Sequence, residues 1–335
     1  MARRVSIFAS AGATAVLTLL SPVLRGDSIA PTFGGVYSFN NIGAPVGVPG
    51  FFGGLTFVPG NPNEILLGGN ANTSSGAIYE VGVTRDASGH INGYSGPATF
   101  FASAPFIDGG LTFGPGGDLF FSEFPVNMLG EIKPGSTAPN LTIDLTALGI
   151  DPSVGGIEIA PNGNVSILSY DGGEFYTVTL TPDGSGTYNV GNVTFLSTTG
   201  AVTLGPEAGV FVPHGSPLFP EQNAFLMTEW ASGTVGAYTL DGNFNLQPAG
   251  VAVRSLFMSL NGAEGAVIDP LTNDVLFSTF ASNITDHIDV VTGFAPPPPG
   301  GPSSVPEPAS LLLLGTALSG IVVFAAKRNR KSALQ

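Results

Sequence analysis

The chain has 335 residues, with 48 Gly, 28 Pro, no Cys and a formal charge of −14. All but one of its 24 acids lie between residues 27 and 304, where the bases are Arg85, Lys133 and Arg254. That field repels phosphate backbones and excludes nucleic acid as a partner, and without cysteine the fold must rest on burial rather than on disulfides.

The N-terminus reads as a signal peptide over residues 1–30. Arg3 and Arg4 precede an apolar stretch from Val5 to Leu24, followed by a polar break at Arg25 to Ser28. Residues 31–294 are long enough for one large core, and their apolar residues are spread evenly between turns.

Self-similarity governs this middle segment. One phrase recurs five times: Gly54 to Pro59 (GLTFVP), Gly110 to Pro115 (GLTFGP), Gly156 to Pro161 (GIEIAP), Gly209 to Pro213 (GVFVP) and Gly265 to Pro270 (GAVIDP). The leading glycines are 46 to 56 residues apart. Each phrase turns into a second apolar run opened by Asn63, Asp118, Asn164, Asn223 or Asp274, which predicts strand, turn, strand. A third strand is expected at Gly76 to Val81, Gly130 to Lys133, Gly173 to Val178, Val235 to Leu240 and His287 to Val291. A fourth is expected at Thr99 to Phe101, Leu141 to Leu145, Val193 to Leu196 and Val251 to Phe257. The fifth copy lacks its own, and Gly35 to Phe39 (GVYSF) supplies it from the other end. The prediction is an all-β fold: a β-propeller of five four-stranded blades closed by the N-terminal strand, with a sixth, degenerate blade, or an open sandwich or solenoid, as alternatives.

Residues 295–304 (APPPPGGPSS) form a spacer, semi-stiff and then flexible. The tail, 305–331, carries Pro306, Glu307 and Pro308, an uncharged apolar run over 309–326, then Lys327, Arg328, Arg330 and Lys331. As a helix the run spans roughly 27 Å, enough to cross a bilayer, and the basic cluster keeps its end cytoplasmic.

This order of parts resembles the PEP-CTERM sorting signal of exported bacterial proteins. The resemblance covers about the last thirty residues, with Pro306, Glu307 and Pro308 in the position of the recognition triplet. It implies export, a membrane anchor, and processing by an exosortase-type membrane protease that leaves the ectodomain at the cell surface or in an extracellular polymer.

Chemistry in a propeller gathers where the first strands of the blades converge. Asp108, Glu158, Glu207 and Glu264 flank the repeated glycines there and form a candidate oxygen site for Ca²⁺. The phrases PEAG (Pro206 to Gly209) and AEG (Ala263 to Gly265) resemble a Pro-Glu-Gly phrase of sugar-lactone hydrolase propellers. There the Glu is a metal ligand, accompanied by an Asn and an Asp that no motif identifies in this chain. Trp230, beside Glu229, offers either a stacking face for a saccharide or a packing wedge between blades. His214 opens the loop to Asn223, a candidate recognition loop, whereas His90 reads as a solvated turn residue and His287 has no ligand spacing. The expectation is a binding or structural protein of the extracellular polymer, with extracellular polysaccharide as its partner. The alternative is a metal-dependent, lactonase-like hydrolase.

Overall fold

The computed structural model describes residues 26–198, 205–219, 223–246 and 254–296. The apolar N-terminal stretch, part of the loop after His214, and the tail with its triplet and 309–326 run lie outside these. Among the described residues no helix is long and apolar enough to cross a membrane.

Among the described residues, twenty-two strands make five antiparallel sheets. β1 (Ser28–Ile29) and β2 (Ser38–Asn41) come first. Blade 1 is β3 (Leu55–Val58), β4 (Asn61–Gly69), β5 (Ala77–Arg85), β6 (Ile91–Tyr94) and β7 (Thr99–Ser103). Blade 2 is β8 (Ile107–Phe113), β9 (Leu119–Glu123), β10 (Met128–Ile132) and β11 (Leu141–Asp144). Blade 3 is β12 (Val154–Ile159), β13 (Val165–Ser169), β14 (Glu174–Pro182) and β15 (Tyr188–Thr198). Blade 4 is β16 (Pro206–Phe211), β17 (Ala224–Glu229), β18 (Thr234–Thr239) and β19 (Arg254–Ser259). Blade 5 is β20 (Ala263–Ile268), β21 (Val275–Thr279) and β22 (Ile288–Thr292), completed by β2.

The five-bladed propeller and its closure by an N-terminal strand are therefore as the repeat predicts. The closing strand lies a few residues later than GVYSF, because 31–36 form turns that tuck Phe33 and Tyr37 into the core. Two features have no counterpart in the repeat. β1 adds a fifth strand outside β19, and the far half of β5 pairs with β6 as a hairpin projecting from blade 1.

The second strands are continuous apolar runs because both of their faces are covered, and strand alternation sends neighbours to opposite seams. Leu119 and Phe121 pack toward blade 1, and Phe120 between them packs toward blade 3. Ile65 and Leu67 face blade 5, with Leu66 facing blade 2. Each of the five seams thus carries its own cluster, and each fully buried Leu, Ile or Phe contributes about 1.5–3 kcal/mol.

The repeated glycine answers to the crowding at the axis. A Cβ on Gly156 would lie 2.2 Å from the Glu207 carbonyl oxygen of blade 4, and one on Gly265 would lie 2.8 Å from Gly54 Cα of blade 1. No other residue fits such an approach of backbones.

Buried hydroxyls fasten blade to blade. Ser122 Oγ accepts from Gly110 N (2.9 Å) and donates to Gly155 O of blade 3 (2.6 Å). Thr228 repeats this from Ala208 N to Glu264 O, and Ser278 from Gly265 N to Gly53 O. Ser122→Ala leaves a buried N–H and a buried C=O without partners, so it is expected to cost about 1–3 kcal/mol by denaturant unfolding. A change below a few tenths would mean that the relay carries no load.

The projecting hairpin of blade 1 ties that blade to blade 5. Arg85 Nη1 and Nη2 donate to Asp269 at 2.5 and 3.0 Å, and Asp269 is fully buried. His90 Nδ1 meets Asp274 Oδ2 at 2.6 Å, so the imidazole expected in a solvated turn belongs to an inter-blade pair. That contact raises its pKa.

Candidate functional site

Every innermost strand of blades 2 to 5 carries a β-bulge at or just before its repeated glycine. The shifts fall between Ile107 and Leu111, Val154 and Gly156, Pro206 and Gly209, and Ala263 and Ala266. A bulge bends the strand and re-aims the side chains within it. Asp108, Glu207 and Glu264 sit in three of the four, and all three turn to the axis. Their ligand oxygens lie within 4.8 Å of one another. Exposure is 1 % for Asp108, 5 % for Glu207 and 1 % for Glu264, and each keeps one carboxylate oxygen without a hydrogen-bond partner.

Three buried carboxylates so close cannot all be charged unless something positive joins them. Among the described residues the protein offers nothing. Arg85 is committed to Asp269, Arg254 to Glu229, and Lys133 Nζ to the Ser185 carbonyl. Burial therefore pushes Asp108 up to about 7, and burial with mutual repulsion holds Glu207 and Glu264 well above the usual carboxylate range.

Asn72 lies beside Asp108, and its Oδ1 is buried without a partner. It stands just beyond β4 at φ 60°, a left-handed conformation that Asn tolerates, and its N–H donates to Ile107 O of blade 2. The three carboxylates form an oxygen-only set with Asn72 at its edge. A cation holding oxygens at about 2.3–2.6 Å keeps any two of them within roughly 5 Å, and the trio's ligand atoms lie within that span.

Glu158 does not join them. It lies two residues after its glycine, beyond the bulge, with Oε1 3.4 Å from Gly209 N of blade 4, and burial raises its pKa as well.

Aromatic side chains surround the same mouth. The residue following the second strand is Phe124 in blade 2, Tyr170 in blade 3, Trp230 in blade 4 and Phe280 in blade 5. These second-strand ends pair with the bulged starts of the first strands, as in Pro206 with Glu229 and Ile107 with Glu123. Phe124 contacts Tyr170 (ring centroids 6.1 Å), Tyr170 contacts Trp230 (6.3 Å), and Trp230 contacts Phe280 (6.3 Å). Phe51, in the loop between β2 and β3, extends the arc through Phe280 at 5.0 Å. Blades 2 to 5 contribute one ring each, and the loop leading into blade 1 contributes the fifth. The carboxylates at the axis are near enough to raise the Tyr170 pKa, though burial is the larger cause.

Trp230 is 36 % exposed, and its Nε1 donates to Phe280 O at 2.7 Å, which fixes a partly exposed indole at the mouth. His214 is exposed beyond the opposite end of β16, so the structure does not bring it to this mouth. Neither Asn72 nor the arc is marked by a motif in the sequence. An aromatic directly after the second apolar run, in four copies of five, is the signal that was available.

A PEP-CTERM protein-sorting motif matches residues 304–331. The described fold and this motif together define a PEP-CTERM-sorted, five-bladed β-propeller protein, and the motif implies an exported, surface-targeted chain processed by an exosortase. No curated protein matches the chain. Among solved structures, it is similar to virginiamycin B lyase from Staphylococcus aureus at 12 % identity and TM-score 0.41, covering 76 % of this chain and 99 % of that one. It is also similar to an auxiliary nutrient binding protein from Bacteroides ovatus at 14 % identity and TM-score 0.41, covering 77 % and 76 %. A third is an aldose sugar dehydrogenase from Streptomyces coelicolor, at 11 % identity and TM-score 0.38, covering 75 % and 82 %.

Proposed function

We propose that this protein is a surface-displayed binding propeller that holds Ca²⁺ in Asp108, Glu207, Glu264 and Asn72 and seats a saccharide of the extracellular polymer on the aromatic arc around it. The observation that carries this reading is the buried carboxylate trio, each member with an orphan oxygen and no protein cation opposite. Aromatic faces suit the apolar faces of sugar rings, and a cation with open positions suits vicinal hydroxyls or a uronate. Export by an N-terminal signal, a transient anchor over 309–326 and release after the Pro306–Pro308 triplet would deliver the site to that polymer.

The test is calcium binding by the full chain in detergent, followed by binding of acidic and neutral polysaccharides with and without calcium. One tight equivalent is expected, absent in Glu207→Gln. Trp230→Ala should leave the ion in place and weaken saccharide binding about tenfold, the worth of roughly 1.5 kcal/mol of aromatic contact. Polysaccharide binding indifferent to both substitutions would sink the proposal.

Asn72 beside three carboxylates also favours a second reading, metal-dependent hydrolysis of a lactone, because the resemblance at PEAG and AEG implies a Glu, an Asn and an Asp as ligands. Lactone turnover abolished by Glu207→Gln would establish it. The absence of turnover in the calcium-loaded chain would leave binding alone.

A further inference from the structure

We infer that a second metal site, for a divalent first-row transition ion such as Zn²⁺, lies where the ends of the propeller meet, with Asp27, His287 and Asp289 as its ligands. Asp27 directly precedes β1 on the flank of blade 4, His287 directly precedes β22, the third strand of blade 5, and Asp289 is the second residue of that strand. The ligand atoms of all three lie within 4.8 Å of one another.

Hydrogen bonding fixes what each atom offers. His287 Nδ1 lies 3.0 Å from the Thr285 carbonyl, which can only accept, so Nδ1 carries the proton. In the neutral ring Nε2 is then a bare lone pair. It points at Asp27 Oδ2 (3.1 Å) and Asp289 Oδ1 (3.7 Å), both of them acceptors. Three such acceptors facing one another call for a positive charge between them, either a proton that makes the ring an imidazolium or a metal ion.

Asp289 is the independent sign of a ligand. It is completely buried, and neither of its carboxylate oxygens has a partner. Asp27 Oδ1 is held by Asn261 N at 3.3 Å, leaving Oδ2 free. An imidazole oriented by a backbone carbonyl and a carboxylate anchored by its other oxygen are the supports that metal ligands receive.

Ligand distances of about 2.0–2.2 Å in tetrahedral geometry separate donors by roughly 3.3–3.6 Å, and the observed 3.1 and 3.7 Å bracket that range. Two carboxylates and a neutral imidazole balance a 2+ ion, and the nitrogen selects a transition metal over the Ca²⁺ suited to the axial set. The Asp27 side chain is 18 % exposed, which leaves a way in. Bound there, the ion clasps the N-terminal segment to blade 5.

The site needs Asp27 in the mature chain. A cut after residue 30 would remove Asp27, β1 and the buried Ala30, whereas the pairing of Ser28 with Ser259 and Ile29 with Met258 makes them part of the sheet.

The experiment is titration of the chelator-stripped full chain, in detergent, with ZnCl₂ and with CoCl₂, alongside mass spectrometry of the exported protein's N-terminus. One equivalent of Zn²⁺ should bind and raise the melting temperature. It should be lost in His287→Gln and Asp289→Asn and kept in Glu207→Gln. Bound Co²⁺ should show d–d bands, and in the wild-type chain the ¹⁵N resonance of His287 Nε2 should shift on Zn²⁺ addition, a readout that survives if the variants fail to fold. An Nε2 that titrates with pH but ignores Zn²⁺ would make this a proton-filled triad and overturn the inference. So would an exported chain beginning at Pro31, or an equivalent of Zn²⁺ that persists in both variants.

Discussion

Stripped of divalent ions, the protein should lose thermal stability steadily as pH rises from 5 to 8, and Ca²⁺ should restore it far more at pH 8 than at pH 5. Asp108, Glu123 and Glu131 are each raised to about 7, with burial the largest cause. In the unfolded chain such groups titrate near 4. Between these values the native state binds protons that the unfolded state has released, so stability falls as pH rises. The contribution is complete below about pH 4 and gone above about pH 7. For Asp108 alone the difference between 3.8 and about 7 amounts to about 4 kcal/mol. His90, raised by Asp274, adds to the slope at its upper end, because the contribution of its charge is complete below about 6.5 and is lost as pH rises further. A calcium ion bound as proposed would supply at Asp108, Glu207 and Glu264 the positive charge that protons supply in acid, and its benefit should therefore grow with pH. The check is a set of melting curves in chelator and in calcium across this range, with Asp108→Asn expected to flatten the chelator series. A chelator series that is already flat would show that the trio is neither buried nor coupled as described.

The architecture was legible because it repeats. Five glycine-led phrases mark five places where neighbouring backbones approach too closely for a Cβ, and the apolar run after each marks a strand covered on both faces. Three of the four candidate carboxylates were legible for the same reason, since they flank that glycine. Glu158 looked equivalent in sequence, but it follows the glycine where Asp108 and Glu207 precede it, and the bulge turns only the earlier positions to the axis.

What stayed hidden depends on pairs far apart in the chain. Asp27 and His287 are 260 residues apart, and Arg85 and Asp269 are 184 apart. No local spacing encodes such contacts, and Asp27 falls inside the stretch read as a signal peptide. Strand β1, of two residues, is too short to carry a period.

The largest single-residue effect on folding is expected at Arg254. Glu229, at the end of β17, is fully buried and accepts from Arg254 Nε at 2.7 Å and Nη2 at 2.5 Å, from Tyr238 Oη at 2.6 Å and from Thr234 Oγ1 at 2.6 Å. Arg254→Met removes the only positive charge in this network and leaves a carboxylate in the core of blade 4. The expected cost is about 3–5 kcal/mol, or on the order of 10 °C in melting temperature for a domain of this size. Most of that is the penalty of an unpaired buried charge, not the worth of the pair. Removing the whole network in Arg254→Met, Glu229→Leu, Tyr238→Phe should therefore recover most of the loss, because the replacements are apolar and close in volume. Since Trp230 follows Glu229 directly, the same pair also fixes the backbone that presents the indole at the mouth, and a single variant that still folds should bind saccharide less tightly. A cost below about 1 kcal/mol for Arg254→Met, or a triple variant as unstable as the single, would mean that solvent rather than Arg254 satisfies Glu229.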